Sequence, residues 1–242
     1  MGLDDMSVLE ASIIVDDKSI DRVRYKAVHG LAIYIEYGRH FILFDTGPNS
    51  DVIQHNSESM GIDLSLLDFV IVSHQHSSHI GGLPYIGWVS PSIKTYIPYA
   101  SGLHLEQIIR RNGLVPVEVM DWTSLDRDVY ITKPFHGPPW EHYLVFKTPN
   151  GLIVFSGCCH TGVEKVVSEI IEWFNDSIYA FIGGLHLSHA PDSVVYKAID
   201  WLADRAERIV PLHCSGERVL EYMSRKHSDK LLTAMAGSTI SL

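Results

Sequence analysis

Residues 73–83 read Ser-His-Gln-His-Ser-Ser-His-Ile-Gly-Gly-Leu, and this stretch places three histidines within six positions. It follows residues 67–72, a largely apolar run with the length of a buried strand. Because side chains two residues apart project from the same face of an extended segment, His74 and His76 are expected to face a common point beyond the strand end. His79 follows a turn and can reach that point from another direction. Imidazole is the commonest zinc ligand in proteins and also suits iron, so the stretch predicts a metal site.

Length and composition favour one α/β domain spanning residues 1–242. The chain has 242 residues, of which 46% are apolar and 20% charged, enough for one sizeable core. Its formal net charge of −10 argues against a general electrostatic grip on nucleic acid or an anionic membrane. We therefore expect a small-molecule substrate and no nucleic-acid or membrane partner. The sequence carries no signal for an oligomeric state.

The location of the protein is predicted from what the chain lacks. No run approaches the length of a membrane span, and residues 1–7 have no basic-then-apolar signal pattern. The three cysteines, two of them adjacent at 158 and 159, are typical of a reduced protein. We expect a cytoplasmic protein.

The order of predicted elements indicates a mixed α/β fold. Apolar runs at 31–37 and 40–44 flank Gly38-Arg39 and predict a hairpin, and runs at 143–147 and 152–155 flank Pro149-Asn150-Gly151 and predict another. Antiparallel strands first and αβ units later suggest two sheets packed between helices. The other predicted elements are helix 49–63, strand 67–72, strand 93–98, helix 100–112, strands within 115–134, helix 163–174, strand 179–182, helix 192–206, strand 208–212 and helix 216–226.

Histidine also follows three later predicted strands. Residues 156–160 read Ser-Gly-Cys-Cys-His, residues 182–187 read Ile-Gly-Gly-Leu-His-Leu, and residues 210–216 read Val-Pro-Leu-His-Cys-Ser-Gly. Active sites of layered α/β proteins gather at strand ends, where several loops meet. One such histidine would be an ordinary polar residue with a backbone partner, whereas four strand ends with histidine favour one shared site. The three later histidines are His160, His186 and His213.

These motifs together resemble the metallo-β-lactamase superfamily. Residues 73–83 are similar to its His-x-His-x-Asp-His signature, with Ser78 where the family has aspartate, and residues 44–47, Phe-Asp-Thr-Gly, are similar to its first motif. Gly-Cys-x-His, Gly-Gly-x-His-Leu and His-Cys-x-Gly in the later stretches narrow the resemblance to the subgroup named for 7,8-dihydropterin-6-methyl-4-(β-D-ribofuranosyl)aminobenzene 5′-phosphate synthase. The resemblance spans about residues 29–216. It implies a four-layer αββα sandwich, where the pattern alone indicates only mixed α/β.

The resemblance implies a first metal held by His74, His76 and a later histidine. We assign His160 as that third ligand because its context at a strand end matches the subgroup. The loop at 135–142 holds the rivals His136 and His142, since other superfamily members keep their third ligand there.

A second metal site is implied at His79 and His213. The aspartate that usually binds this metal is replaced by Ser78, so we expect one tight zinc and a weaker second site, with iron or manganese as alternative metals. Cys158 is a candidate additional ligand, because some zinc β-lactamases carry a metal-binding cysteine in a similar Gly-Cys context. The alternative for Cys158 is a small buried residue beneath the site.

Two further residues are assigned catalytic roles. The resemblance implies that Asp45 orients a ligand histidine, which needs its second nitrogen held. His186 is assigned to substrate contact or proton transfer. A bound metal lowers the pKa of water to roughly 7 and polarises the bond under attack. We therefore expect a metal-dependent hydrolase of a small molecule, phosphorylated or pterin-like; the alternatives are a synthase like that of the subgroup and a non-catalytic metal sensor.

Overall fold

The computed structural model describes residues 8–99, 101 and 103–242, and within them it has fifteen strands and seven helices. The first residues, 1–7, on which the absence of a signal pattern was judged, lie outside this part. The strands are β1 (Leu9–Val15), β2 (Ala32–Tyr37), β3 (His40–Phe44), β4 (Phe69–Ile71), β5 (Lys94–Pro98), β6 (Val115–Val119), β7 (Thr123–Asp126), β8 (Val129–Ile131), β9 (Phe135–His136), β10 (Trp140–Glu141), β11 (Leu144–Thr148), β12 (Gly151–Ser156), β13 (Ile178–Gly183), β14 (Ala206–Pro211) and β15 (Thr239–Ser241). The helices are α1 (Ser50–Met60), α2 (Ser77–Ile80), α3 (Leu83–Val89), α4 (Leu103–Arg111), α5 (Val163–Phe174), α6 (Asp192–Ala203) and α7 (Glu217–Lys226).

The strands form two large mixed sheets and one small hairpin. The first sheet has the order β15-β1-β2-β3-β4-β5-β6, and the second has the order β14-β13-β12-β11-β8-β7. Strands β3 to β6 are parallel, as are β12 to β14, while the remaining neighbours are antiparallel. Each sheet therefore combines both kinds of pairing, so the expected division into antiparallel strands first and αβ units later is too simple.

Both predicted hairpins are present. Strands β2 and β3 pair with Tyr37 opposite His40, and β11 and β12 pair with Thr148 opposite Gly151. Gly151 has φ 118°, a conformation that side chains with a Cβ rarely adopt. Glycine at this position therefore fixes the start of β12 and with it the register that leads to the strand end.

Three apolar layers separate four layers of secondary structure. The middle core lies between the two sheets and includes Ile33 and Phe44 from the first and Phe155 from the second. One outer core joins the first sheet to α1, α3 and α4, and the other joins the second sheet to α5, α6 and α7. Each fully buried aliphatic side chain contributes about 1.5–3 kcal/mol relative to exposure. The αββα sandwich implied by the sequence is thus confirmed.

The sequence patterns did not predict strand β15, and they predicted helix α6 to be longer than it is. Strand β15 is short and polar, and it pairs with β1 at the edge, where Ser12 Oγ lies 2.7 Å from Thr239 Oγ1. Such a segment has no apolar periodicity to reveal it. Helix α6 ends at Ala203 rather than at residue 206, because Ala206 already pairs with Ile178 in the second sheet. Within residues 8–99, 101 and 103–242, no helix has both the length and the apolar character needed to cross a membrane.

Candidate metal centre

The predicted histidines follow strand ends in both sheets and meet in one group. His74 and His79 follow β4, His160 follows β12, His186 follows β13 and His213 follows β14. The rings form a continuous series of contacts, with centroid separations of 5.0 Å for His213–His79, 4.1 Å for His79–His74, 4.7 Å for His74–His76, 4.8 Å for His74–His160, 4.9 Å for His76–His160 and 4.3 Å for His160–His186. The six histidines named from the sequence thus lie together.

Three of these histidines have the spacing of a shared metal shell. His74 Nε2 lies 3.1 Å from His76 Nδ1 and 3.3 Å from His160 Nε2. Two nitrogens bound to one zinc at about 2.0–2.1 Å and the tetrahedral angle are about 3.3–3.4 Å apart. The two edges that meet at His74 are therefore close to those of a zinc-sized cation, and all three donor atoms lie within 4.8 Å of one another.

Burial keeps these three imidazoles in the form that binds metal. The pKa of His74 lies well below its ordinary value, because burial and the neighbouring His79 and His160 disfavour a positive charge. Burial and the same crowding lower the pKa of His160 to about 3 and also lower that of His76. Neutral imidazole is the ligand form, so the protein itself excludes the proton that would compete with a metal.

Asp45 lies behind the cluster, fully buried at the end of β3. Its Oδ2 accepts hydrogen bonds from His79 Nδ1 and Ser73 Oγ, each at 2.7 Å, and its Oδ1 accepts one from the Ser73 amide at 2.7 Å. The contact with Asp45 orients the His79 ring so that its Nε2 atom faces the other donor side chains. Ser73 Oγ also lies 2.9 Å from His74 Nδ1. Asp45 therefore sits where it can orient a ligand histidine, the arrangement expected of a carboxylate behind a metal site.

Asp17 has the same relation to His213 and was not singled out from the sequence. Its Oδ1 lies 2.7 Å from His213 Nδ1, and its Oδ2 lies 3.0 Å from His29 Nδ1. Burial lowers the pKa of His213, but the hydrogen bond and the charge of Asp17 outweigh it and leave that pKa raised. A carboxylate 196 residues away in the sequence leaves no local signal of this contact.

Glu141 is a second functional candidate that the sequence did not reveal. This fully buried carboxylate accepts hydrogen bonds from the amides of Cys158 and Cys159 through Oε1, at 2.7 and 2.8 Å, and from the His160 amide through Oε2, at 2.8 Å. Burial raises its pKa, and the three amide donors oppose that rise. A charged residue just before an apolar strand was the available signal. Glu141 fixes the loop that carries His160.

The rival ligands His136 and His142 do not join the donor groups found among the described residues. His136 is exposed on β9 and stacks edgewise against Trp140 at 4.8 Å. His142 is fully buried, and its two ring nitrogens have no hydrogen-bond partner. Among the described residues, neither of them belongs to a group of three or more metal-donor side chains.

Two cysteine thiols lie beside His79 and His213. Cys158 Sγ lies 3.3 Å from His79 Nε2, and the donor atoms of Cys158, His213 and Cys214 lie within 4.8 Å of one another. A shared hydrogen bond makes Cys214 the more acidic thiol of the pair, lowering its pKa and raising that of Cys158.

His186 lies at the exposed end of the cluster with φ 54°, next to His160. A hydrogen bond with Cys214 raises its pKa despite partial burial. It borders a cavity of about 370 Å³ between α5 and α6. The cavity has apolar walls that include Leu185, Leu187 and Val194, and Glu164 and Lys165 are polar residues in its lining. An ionisable side chain, a group of donors and a cavity thus adjoin one another.

The comparisons with known proteins agree with this architecture. A family profile described as the metallo-β-lactamase superfamily matches residues 25–158. The chain is similar to the uncharacterised protein MJ0448 of Methanocaldococcus jannaschii, with 24% identity covering 85% of this chain and 92% of that protein. It is similar to the 7,8-dihydropterin-6-methyl-4-(β-D-ribofuranosyl)-aminobenzene-5′-phosphate synthase of the same organism, with 26% identity covering 84% and 89%.

A solved structure has the same fold. It is Tm1679, described as a metal-dependent hydrolase of the β-lactamase superfamily, and it superposes with a TM-score of 0.83 at 24% identity, covering 97% of this chain and 99% of that one.

Proposed function

The chain belongs to the metallo-β-lactamase superfamily, and from this premise we propose that it is a metal-dependent hydrolase of a small molecule, phosphorylated or pterin-like. The observation that carries the proposal is the trio of nitrogens on His74, His76 and His160, which are 3.1 and 3.3 Å apart along the two edges that meet at His74. Three protein ligands leave a fourth position open, which is the arrangement of catalytic rather than structural zinc sites. A metal bound there would activate water and polarise the bond under attack.

His186 is the proposed proton-transfer residue. It follows Gly183-Gly184 at the end of β13 and is exposed, next to His160 and bordering the cavity. Its raised pKa, caused first by the hydrogen bond with Cys214, favours the protonated ring. A protonated imidazole can donate its proton to a leaving group.

The cavity supports a small substrate. Its volume of about 370 Å³ lies toward the lower end of the range for small-molecule sites. Its apolar walls suit a flat or aliphatic group, and Lys165 supplies a cation for an anionic substituent such as a phosphate. A phosphorylated or pterin-like molecule therefore matches this lining, despite the overall negative charge of the chain.

The test is hydrolysis with controlled metal content. Purified protein is stripped by a chelator, reloaded with zinc, manganese or iron, and assayed against phosphomonoesters, phosphodiesters, carboxylic esters and lactams. We expect one class to be hydrolysed only after reloading. His76→Ala should abolish the activity, while the exposed control His104→Gln should keep it. If no class is hydrolysed with any metal, the hydrolase proposal is wrong.

The synthase relative supports a second candidate, since the similarity covers 84% of this chain. In this case the amine of an aminobenzene riboside phosphate would displace a leaving group, such as a diphosphate, from the methyl carbon of a pterin and release its proton to solvent, and Lys165 would contact the riboside phosphate. Product formation from those two substrates, without hydrolysis of any ester, would favour the synthase. Metal binding without either reaction would favour a metal sensor, the alternative suggested by the loss of aspartate at Ser78.

A further inference from the structure

Cys158 occupies a central position among the donor side chains. It is buried at the end of β12, and its Sγ lies 3.3 Å from His79 Nε2. It belongs to three of the donor groups in the described part of the chain: one with His74 and His79, one with His160 and His186, and one with His213 and Cys214.

The part of the site around His79 and His213 has no carboxylate free to bind a metal. Ser78 stands where an aspartate is expected, and the nearby aspartates are already engaged, Asp16 as the acceptor of the His213 amide at 2.7 Å. Asp45 accepts from His79 Nδ1 and Asp17 pairs with His213 Nδ1, so each holds a ring from behind. A dication held by two neutral nitrogens alone would be poorly compensated in a buried position.

Two thiols are placed to supply the missing charge. Cys214 follows His213 directly, its side chain is buried, and its Sγ lies 3.7 Å from the Cys158 carbonyl oxygen. Both thiols lie with His213 inside a sphere of donor atoms no more than 4.8 Å apart. His79 is not within that sphere, although its Nε2 lies 3.3 Å from Cys158 Sγ. Tetrahedral zinc with nitrogen and sulfur ligands has edges of about 3.3–3.8 Å, so the thiols and His213 would shift by about 1 Å and the His79 ring by more to close the shell.

We propose that His79, His213, Cys158 and Cys214 form a second metal site with two nitrogen and two sulfur ligands. As each sulfur–metal bond forms, the thiol releases its proton to solvent, so the two thiolates neutralise the dication. Sulfur ligands select zinc, cadmium or cobalt over magnesium or calcium. Four protein ligands leave no open position, so this metal is structural, and the three-histidine site keeps the reaction.

The inference rests on the proposed function for the first metal at His74, His76 and His160. It replaces the expectation of a weak second site, in which Cys158 was a candidate ligand and Cys214 was not considered. It does not depend on which substrate is turned over.

The test is cobalt titration of the reduced full-length protein after removal of metal. Thiolate ligands give cobalt(II) an intense near-ultraviolet charge-transfer band, whereas nitrogen ligands alone do not. We expect two equivalents to bind, with the band arising from one of them. Cys158→Ser and Cys214→Ser should each weaken the band by about half, and the double variant should lose it and bind one equivalent. His76→Ala should lose the other equivalent and keep the band.

The matched control is Cys159→Ser. Cys159 is buried next to Cys158 but belongs to no donor group in the described part of the chain, so the band should be unchanged. Cadmium-113 NMR of the unmodified protein counts the bound sulfurs even if a variant fails to fold. Two bound equivalents without a sulfur signal, or a Cys158–Cys214 disulfide that persists under reduction and binds no metal, would overturn the inference. A sulfur signal in a protein that hydrolyses nothing would leave it standing and remove only the hydrolase.

Discussion

At the scale of single residues, the site depends on which nitrogen of each histidine is held. His79 and His213 are held at Nδ1 by Asp45 and Asp17, which leaves the Nε2 atom of each ring for other contacts, such as that of His79 with Cys158 Sγ at 3.3 Å. His74 Nδ1 is held by Ser73 Oγ. A carboxylate or hydroxyl behind an imidazole fixes both its tautomer and its direction, which explains how rings from separate loops point at one place.

The division of roles between His76 and His186 can be tested by substitution. His186→Ala should lower the hydrolysis rate by about 100-fold or more, the usual worth of a general acid, while metal content measured by elemental analysis stays at the native level. His76→Ala should lose both, because its Nδ1 lies 3.1 Å from His74 Nε2. His189→Ala removes an exposed histidine from the same loop and serves as the control. Equal metal loss in the His186 and His76 variants would make His186 a ligand.

His142 should make stability depend on pH. Burial lowers its pKa from 6.5 to about 3. Below pH 6.5 the unfolded chain binds a proton that the folded protein refuses, so stability falls as the pH drops from 6.5 toward 3. Protonation of His142 in the unfolded chain lowers the free energy of unfolding by roughly 2 kcal/mol at pH 5.

Urea unfolding at pH 7 and pH 5 measures this loss. His142→Gln cannot bind the proton, so it should lose roughly 2 kcal/mol less than the native protein over this range. The exposed His104→Gln should behave as the native protein does. An identical pH dependence in all three proteins would show that His142 is not protonated selectively in the unfolded state.

At the scale of elements, the histidine group depends on how α2 and α3 dock on the turn after β3. The Gly81 amide donates to the Gly47 carbonyl at 2.8 Å, and the Thr46 amide donates to the His79 carbonyl at 2.8 Å. A Cβ added at Gly81 would lie 1.9 Å from the Pro48 carbonyl oxygen, closer than any real contact. Glycine at this position lets the helix that carries His79 approach the strand end.

Gly81→Ala should therefore disturb both stability and the site. Its φ of −67° is open to alanine, so the cost arises from the clash and not from the backbone. We expect a loss of about 1–3 kcal/mol in unfolding free energy and weaker binding of metal at His79, measured by chelator competition. Ser77→Ala, an exposed position on the same helix, is the control. Unchanged metal affinity in the Gly81 variant would mean that the docking of α2 does not control the site.

Comparison with the sequence predictions shows which contacts leave a local trace. Helix 163–174 and the hairpin of residues 31–44 were predicted because apolar periodicity and turn residues act over a few positions. The histidines were found because each follows a strand in a short motif. Asp17 and the pairing of Cys158 with Cys214 were missed, since these contacts join residues 196 and 56 positions apart. Only the packing of the two sheets brings such residues together.

At the scale of the whole molecule, two sheets bring their strand ends to one place. The first sheet contributes Asp45, His74, His76 and His79, and the second contributes Cys158, His160, His186 and His213. Neither sheet alone holds the complete trio of His74, His76 and His160. The apolar core between the sheets therefore sets the distances in the site, and the fold and the proposed chemistry depend on the same packing.

The most direct test of the central claim is a crystal structure of zinc-loaded protein with anomalous data collected at the zinc absorption edge. We expect an anomalous peak about 2.0–2.1 Å from His74 Nε2, His76 Nδ1 and His160 Nε2. A zinc bound through His136 or His142 in place of His160, or the absence of a peak at these three nitrogens in zinc-loaded crystals, would contradict it.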